Sequence, residues 1–109
     1  QKPSQYAGKL HGSIRSKDPQ RLTDLLLTCA LIEARSCERM KLLSEAPIDP
    51  SLQAFYKELL ASEARHHQVY VELACQVDTA ENVRTRLVEL AVVEAKILTE
   101  VGPDTRLHS

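Results

Sequence analysis

Apolar residues recur at intervals of three and four positions through most of the chain, which is the spacing of one face of an α-helix. The pattern predicts long helices over residues 19–45, 50–77 and 80–101, separated by short breaks that contain proline, aspartate or threonine. The first two helices should each span about 40 Å at 1.5 Å per residue, which is long for three helices that pack alone. We therefore predict an all-α fold, an antiparallel helical bundle that is one half of a larger one.

Capping and breaking residues set the predicted limits of this helical region. Asp18-Pro19 is a typical helix start, with aspartate as the capping residue and proline at the first helical position. Gly102-Pro103 is a typical helix end. We interpret residues 1–18, which contain glycine, proline and serine, as a basic linker or extended arm. Residues 19–101 then form the helical half-domain, and residues 102–109 form a polar tail.

Composition narrows the class of protein. The 43% of hydrophobic residues is typical of a globular domain, and the 4% of aromatic residues leaves most packing to aliphatic side chains. The 3 cysteines form no Cys-x-x-Cys pair, so we predict reduced thiols in a cytoplasmic protein. Neither a signal peptide nor a run of about 20 apolar residues is present, so we expect no membrane association.

Charge is distributed unevenly, although the net charge is only −1. The first 21 residues contain five basic residues and one acidic residue, and the remainder is acidic. Such a basic segment is either an element that contacts phosphates or a solvated linker. Charge alone favours the linker.

Three polar residues interrupt the apolar faces of the first two helices and suggest a metal site. Glu33 lies at the middle of the first helix, and Glu63 lies at the middle of the second with His66 three residues later. Residues at this spacing point in the same direction, and antiparallel packing brings the two midpoints together. Buried carboxylates need a counter-charge. Carboxylate oxygen with imidazole nitrogen suits iron or manganese, so we predict a metal bound by Glu33, Glu63 and His66.

Other interpretations of these residues remain open. A single Glu-x-x-His is most often a pair on a helix surface, and Glu33 could form an ion pair with Arg65. Glu94 also lies on an apolar face, and we interpret it as an edge residue that reaches solvent or a basic partner. His67 points about 100° away from its neighbour and is interpreted as a surface residue or a supporting residue.

Two longer runs carry a resemblance to a known family. Residues 31–39 read LIEARSCER and residues 55–66 read FYKELLASEARH. Both runs and their separation resemble the MiaE-type tRNA hydroxylases, a ferritin-like family with a non-haem di-iron centre. The similarity extends over nearly the whole chain, including the closing Arg106-Leu107-His108-Ser109.

The resemblance implies a function. Family members use dioxygen and two iron ions to hydroxylate the isopentenyl group of a 2-methylthio-isopentenyl-adenosine beside the tRNA anticodon. By motif position, Glu33 corresponds to the carboxylate on one helix, and Glu63 with His66 corresponds to the Glu-x-x-His pair. Partners would be tRNA and an electron donor, with Lys9, Arg15 and Lys17 as weak candidates for contacts with tRNA phosphates.

The family pattern has a further Glu and a further Glu-x-x-His on upstream helices, and neither occurs in this sequence. We therefore expect this chain to be the C-terminal half of such a protein, with the other ligands coming from the missing N-terminal half or from a second copy of the chain. The alternatives are a non-catalytic ferritin-like metal-binding protein and a helical interaction module whose buried glutamates only set the pairing of helices.

Overall fold

The computed structural model describes the backbone of residues 3–108 and the side chains of residues 5–101. It contains four helices in this range, α1 (Pro3–His11), α2 (Gln20–Glu45), α3 (Pro50–Val77) and α4 (Ala80–His108). The predicted all-α class is confirmed. None of these helices combines the length and the hydrophobicity that crossing a membrane requires.

The helices α2 and α3 form an antiparallel pair with the most extensive contacts in the molecule. Their predicted limits agree with the structure to within one residue. Asp49 caps α3, because its carboxylate accepts a hydrogen bond of 2.8 Å from the backbone N–H of Ser51. Asp18 does not cap α2 as predicted, because its side chain pairs with Arg21 at 3.5 Å.

The first helix corrects the prediction of an extended linker over residues 1–18. Pro3–His11 is α-helical and packs mainly on α4. Tyr6 and Leu10, one turn apart, are 1% and 0% exposed, so they belong to the core. A helix of 9 residues shows too few apolar positions for its periodicity to be recognised, and Gly8 faces open space, where its small size has no effect on packing.

The last helix is longer than predicted. It continues through Gly102-Pro103, where we placed its end, and reaches His108. Proline removes one hydrogen bond from a helix, but its fixed φ of about −65° is itself helical, so helical backbone can continue through it. The side chains of the predicted polar tail, residues 102–109, lie outside the described part of the chain.

The hydrophobic core lies between α1, α2 and α4 and includes one residue of α3. Its residues are buried and in mutual contact, and they are Tyr6, Leu10, Leu27, Leu31, Ala74, Val83, Leu90 and Ile97. The face of α2 that contains Cys29, Glu33 and Cys37 is only half-buried. The helix α2 therefore has two faces of different kinds. One is fully packed, and the other is partly open along α3.

A buried carboxylate connects the helices at one end of the core. Asp24 in α2 is 0% exposed and accepts hydrogen bonds of 2.8–3.0 Å from the side chains of Arg15 and Arg86. Arg86, in α4, also donates to the backbone carbonyl of Ser13 at 3.1 Å. Burial alone raises the pKa of Asp24, but the hydrogen bonds from Arg86 and Arg15 outweigh it and hold this pKa well below its usual range. We call Arg15, Asp24 and Arg86 the Asp24 cluster.

A second buried polar group joins α1, α2 and α4. The hydroxyl of Tyr6 donates to the carboxylate of Glu94, and Nε of Arg35 lies 3.3 Å from the same oxygen. Glu94 is 5% exposed, so its predicted position at a solvent edge is wrong, although its predicted basic partner is present. Burial raises the pKa of Glu94 above its usual value, while Tyr6 and Arg35 act against that increase.

Candidate metal centre

The structure brings Glu33, Glu63 and His66 together between the midpoints of α2 and α3. One ligand atom from each side chain can be chosen so that all three lie within 4.8 Å of one another. Nδ1 of His66 lies 3.2 Å from Oε1 of Glu63, as expected for residues one turn apart on one helix. The convergence follows from antiparallel packing of two long helices through a short connection. That these residues bind a metal stays a prediction.

One oxygen of the cluster lacks a partner. Oε1 of Glu33 is buried and accepts no hydrogen bond from any group in the described residues. The alternative of an ion pair between Glu33 and Arg65 is not observed in that part of the chain, where the positive charges that lower the pKa of Glu33 come from His66 and His67. A buried oxygen without a partner is costly, and a cation bound between the two carboxylates would remove that cost.

The electrostatics of the cluster also favour a bound cation. Burial raises the pKa of Glu33, and a hydrogen bond with Glu63 and its negative charge raise this pKa further. Both effects favour the protonated form of Glu33 when no metal is bound. A divalent cation would replace this proton.

The neighbouring thiols are not suited to bind a metal in this site. Burial raises the pKa of Cys29, and the negative charge of Glu33 raises it further. The pKa of Cys37 is raised by burial and by the charges of Glu63 and Glu33. Both side chains therefore remain neutral thiols and act as apolar wall. The available donors are two carboxylates and one imidazole, which suit iron or manganese better than structural zinc.

One side of the cluster is open. The side chain of His66 is 55% exposed. Large apolar side chains at helical spacing from the ligands are also exposed, namely Leu22, Leu52, Phe55, Val69 and Leu73. We call these five residues together with Glu33, Glu63 and His66 the open face. An apolar surface of this kind, with charged groups at its centre, is typical of a surface that another element covers.

The basic residues predicted to contact tRNA occupy three different environments. Lys9 in α1 lies 3.6 Å from Glu100 in α4. Arg15 belongs to the Asp24 cluster, so its guanidinium supports the fold. Lys17 is exposed in the connection between α1 and α2, and no ion pair is found for it among the described residues. Lys17 is therefore the residue of the three whose charge is most available to a phosphate.

Several residues that shape the structure were missed in the sequence. Asp24 is flanked by Leu27 and Leu31 at helical spacing, and this position on an apolar face is the signal that could have identified it. Its partner Arg86 is 62 residues away along the chain, and no local sequence pattern indicates that the two residues pair. The hydrogen bond between Tyr6 and Glu94 joins residues 88 positions apart, so it was equally hidden.

An antiparallel helix pair with a Glu on one helix and a Glu-x-x-His on the other carries half of the ligands of a carboxylate-bridged di-metal bundle. Comparison with known proteins identifies the family within this class. The whole chain, residues 1–109, matches the family model of tRNA-(MS[2]IO[6]A)-hydroxylase (MiaE). The chain therefore belongs to the MiaE family.

Curated relatives carry the corresponding name. The chain is 43% identical over 107 residues to the tRNA 2-(methylsulfanyl)-N(6)-isopentenyladenosine(37) hydroxylase of Salmonella typhimurium, covering 97% of this chain and 38% of that protein. It is 39% identical over 105 residues to the Pseudomonas putida protein of the same name, covering 95% of this chain and 50% of that protein. The chain thus spans half or less of the length of these relatives.

A solved structure shares the fold. A Synechococcus protein with aldehyde deformylating oxygenase activity superposes with a TM-score of 0.80 and is 47% identical. The match covers 85% of this chain and 46% of that chain. The similarity extends over most of the helical region described above.

Proposed function

We propose that this chain supplies half of the metal centre of a cytoplasmic tRNA hydroxylase, which uses dioxygen to hydroxylate the isopentenyl group of 2-methylthio-isopentenyl-adenosine beside the anticodon. The observation that carries the proposal is the convergence of Glu33, Glu63 and His66 in a chain of the MiaE family. Among the described residues, one buried oxygen of Glu33 has no partner. The names of the curated relatives support the substrate class.

The residues of the cluster would hold two iron ions in distinct ways. Glu63 and His66 are one turn apart and would hold iron from α3, while Glu33 would hold it from the opposite helix. When bound, iron would supply the activation of dioxygen and the oxidation of a C–H bond. A complete di-iron site needs a further Glu and a further Glu-x-x-His. We propose that helices outside this chain provide them, with a second copy of the chain as the alternative source.

The side chains around the cluster would form the pocket for the substrate. Cys29 and Cys37 are neutral and half-buried, and the charges of the nearby carboxylates raise their pKa values. Met40, Leu59 and Tyr70 are half-buried at helical spacing from the ligands, so they would complete an apolar wall with the two cysteines. Such a wall excludes water once the open face is covered, and it suits an apolar isopentenyl group. Because the modified base lies in a single-stranded loop, it can be reached without opening a duplex.

Contacts with tRNA phosphates would come from exposed basic residues. Lys17 is the strongest candidate, and Lys9 and Arg15 are weaker candidates because each already pairs with a carboxylate. Phosphate contacts supply affinity and orientation, whereas recognition of the modified base would come from the apolar wall. The reaction also requires an electron donor, which is a separate partner.

A second candidate reaction follows from the Synechococcus protein, which is 47% identical and has aldehyde deformylating oxygenase activity. A di-iron centre in an apolar pocket could oxidise an aldehyde as well as a prenyl group. Both substrates should therefore be tested with the same preparation of the protein. The non-catalytic alternatives, a metal-binding bundle or a helical interaction module, predict no turnover of either substrate.

The deciding experiment is reconstitution of the longer protein with Fe(II), followed by incubation with dioxygen, a reductant and tRNA that carries the prenylated base. The expected product is a nucleoside heavier by one oxygen atom. Glu33→Gln should bind less iron and give no product, while Glu58→Gln, at an exposed position of α3, should behave as the unchanged protein. Equal iron content and equal turnover in Glu33→Gln would contradict the proposal, and turnover of a long-chain aldehyde alone would favour the second reaction.

A further inference from the structure

His67 forms a hydrogen bond that connects α3 to α2 beside the metal cluster. Its Nδ1 lies 2.8 Å from the backbone carbonyl oxygen of Ala30, a residue 37 positions earlier in the chain. A carbonyl oxygen can only accept, so Nδ1 of His67 carries the proton and donates it. His67 lies outside the set of three side chains that could hold a metal.

The position of this bond relates it to the cluster. Ala30 is one helical turn before Glu33, and His67 directly follows His66 and is one turn after Glu63. In the described residues, and apart from the contact between the two carboxyl groups, this is the single side-chain hydrogen bond found between α2 and α3. The bond between Gln53 and the carbonyl of Ala46 lies at the loop.

The contacts between α2 and α3 are extensive, but most side chains of α3 remain partly exposed. Ala74 is the one residue of α3 that is fully buried in the described structure, and several of its large apolar side chains are exposed. A shift of α3 by one residue would move its side chains by about 1.5 Å and rotate them by about 100°. Such a shift would carry Glu63 and His66 away from Glu33.

We propose that His67 is a positioning residue, whose hydrogen bond to the Ala30 carbonyl sets the register of α3 against α2 so that Glu63 and His66 face Glu33. The proposal rests on the proposed metal site for its function. The hydrogen bond itself does not depend on that site, because it forms in the chain without metal. Groups that orient metal ligands commonly change metal affinity about 10–100-fold when they are removed.

Two substitutions separate the hydrogen bond from the volume of the side chain. In His67→Asn the amide nitrogen lies as many bonds from Cα as Nδ1 does, so it can still donate to Ala30, and the helix propensities of the two residues are similar. In His67→Leu a side chain of comparable bulk cannot donate. Val83→Ala, in the core contacts of α4, is the control for a general loss of stability.

The metal-free measurement is NMR of the 109-residue chain at pH 8. We expect the His67 ring to carry its proton on Nδ1, and we expect NOEs between the side chains of Glu33 and Glu63. These NOEs should persist in His67→Asn and in Val83→Ala and should disappear in His67→Leu. A proton on Nε2 of His67, or unchanged NOEs in His67→Leu, would overturn the proposal whether or not the chain binds metal.

The metal measurement is titration with Co(II), followed by its visible absorption. His67→Leu should weaken Co(II) binding about tenfold or more and change the absorption spectrum, whereas His67→Asn should stay within about threefold of the unchanged chain. Equal affinity and an equal spectrum in His67→Leu would overturn the positioning role. Failure of the unchanged chain to bind Co(II) would count against the proposed function, and the NMR measurement would then decide the role of His67 alone.

Discussion

Replacement of Glu33 by leucine should stabilise the metal-free chain while it abolishes metal binding. The buried Oε1 of Glu33 has no hydrogen-bond partner in the part of the chain that the structure describes, and such a group costs about 1–3 kcal/mol. Leucine removes this cost and the repulsion from Glu63, although the half-buried position limits the gain. We expect about 1–2 kcal/mol of added stability, which for a chain of this size raises Tm by about 4–8 °C per kcal/mol.

The sign of the effect should reverse when metal is present. A ligand at one hundred times its Kd stabilises the folded state by about 2.7 kcal/mol, and Glu33→Leu forfeits that gain. The unchanged chain should therefore melt below Glu33→Leu without metal and above it with saturating Co(II). The measurement is a pair of thermal unfolding curves for each protein, recorded by circular dichroism with and without Co(II).

The pH dependence of the stability provides a second test of the same reasoning. The pKa of Glu33 is raised in the folded chain above its usual value, so the folded chain keeps its proton at pH values where the unfolded chain has released it. The stability that this proton gives is present at low pH and is lost as the pH rises through the raised pKa. Glu33→Leu should flatten this part of the stability curve.

The control for these measurements is Glu58→Leu, which places the same substitution at an exposed position of α3. It should change stability by no more than about 0.5 kcal/mol and leave the response to Co(II) intact. The reasoning would be refuted by a Glu33→Leu chain that melts lower than the unchanged chain and still gains stability from Co(II).

Three further predictions concern the rest of the molecule. Lys17→Ala in the longer protein should make the plot of log affinity for tRNA against log salt less steep by about one and leave Tm unchanged. Arg15→Ala should lower Tm because Arg15 binds Asp24, and an unchanged Tm would refute this structural role. Asp24→Asn should destabilise the chain at neutral pH and flatten its acid unfolding below about pH 4 in urea titrations, because the depressed pKa of Asp24 makes its contribution disappear only as the pH falls. The isolated chain should self-associate through the open face in sedimentation experiments, and two metal ions per dimer would support a site shared between copies, whereas a monomer would show that this face does not drive association.

The amino-acid sequence by itself determined the features that depend on neighbours along a helix. The limits of α2 and α3 follow from an apolar period of about 3.6 residues and from prolines between the helices. The meeting of Glu33 with Glu63 and His66 was predictable because two long helices joined by a short loop pair antiparallel, so their midpoints coincide. The family resemblance rests on the same two runs of residues, which explains why it and the cluster were both recognisable.

Only the tertiary structure decided which faces are buried and which polar groups find partners. The sequence of residues 1–18 reads as a linker, but Tyr6 and Leu10 are buried because α4 provides a surface for them. Asp24 is held by Arg86 across 62 residues, and His67 reaches a backbone carbonyl, which every residue has and no sequence pattern marks. Contacts between distant residues depend on how whole helices pack, and local periodicity contains no information about that packing.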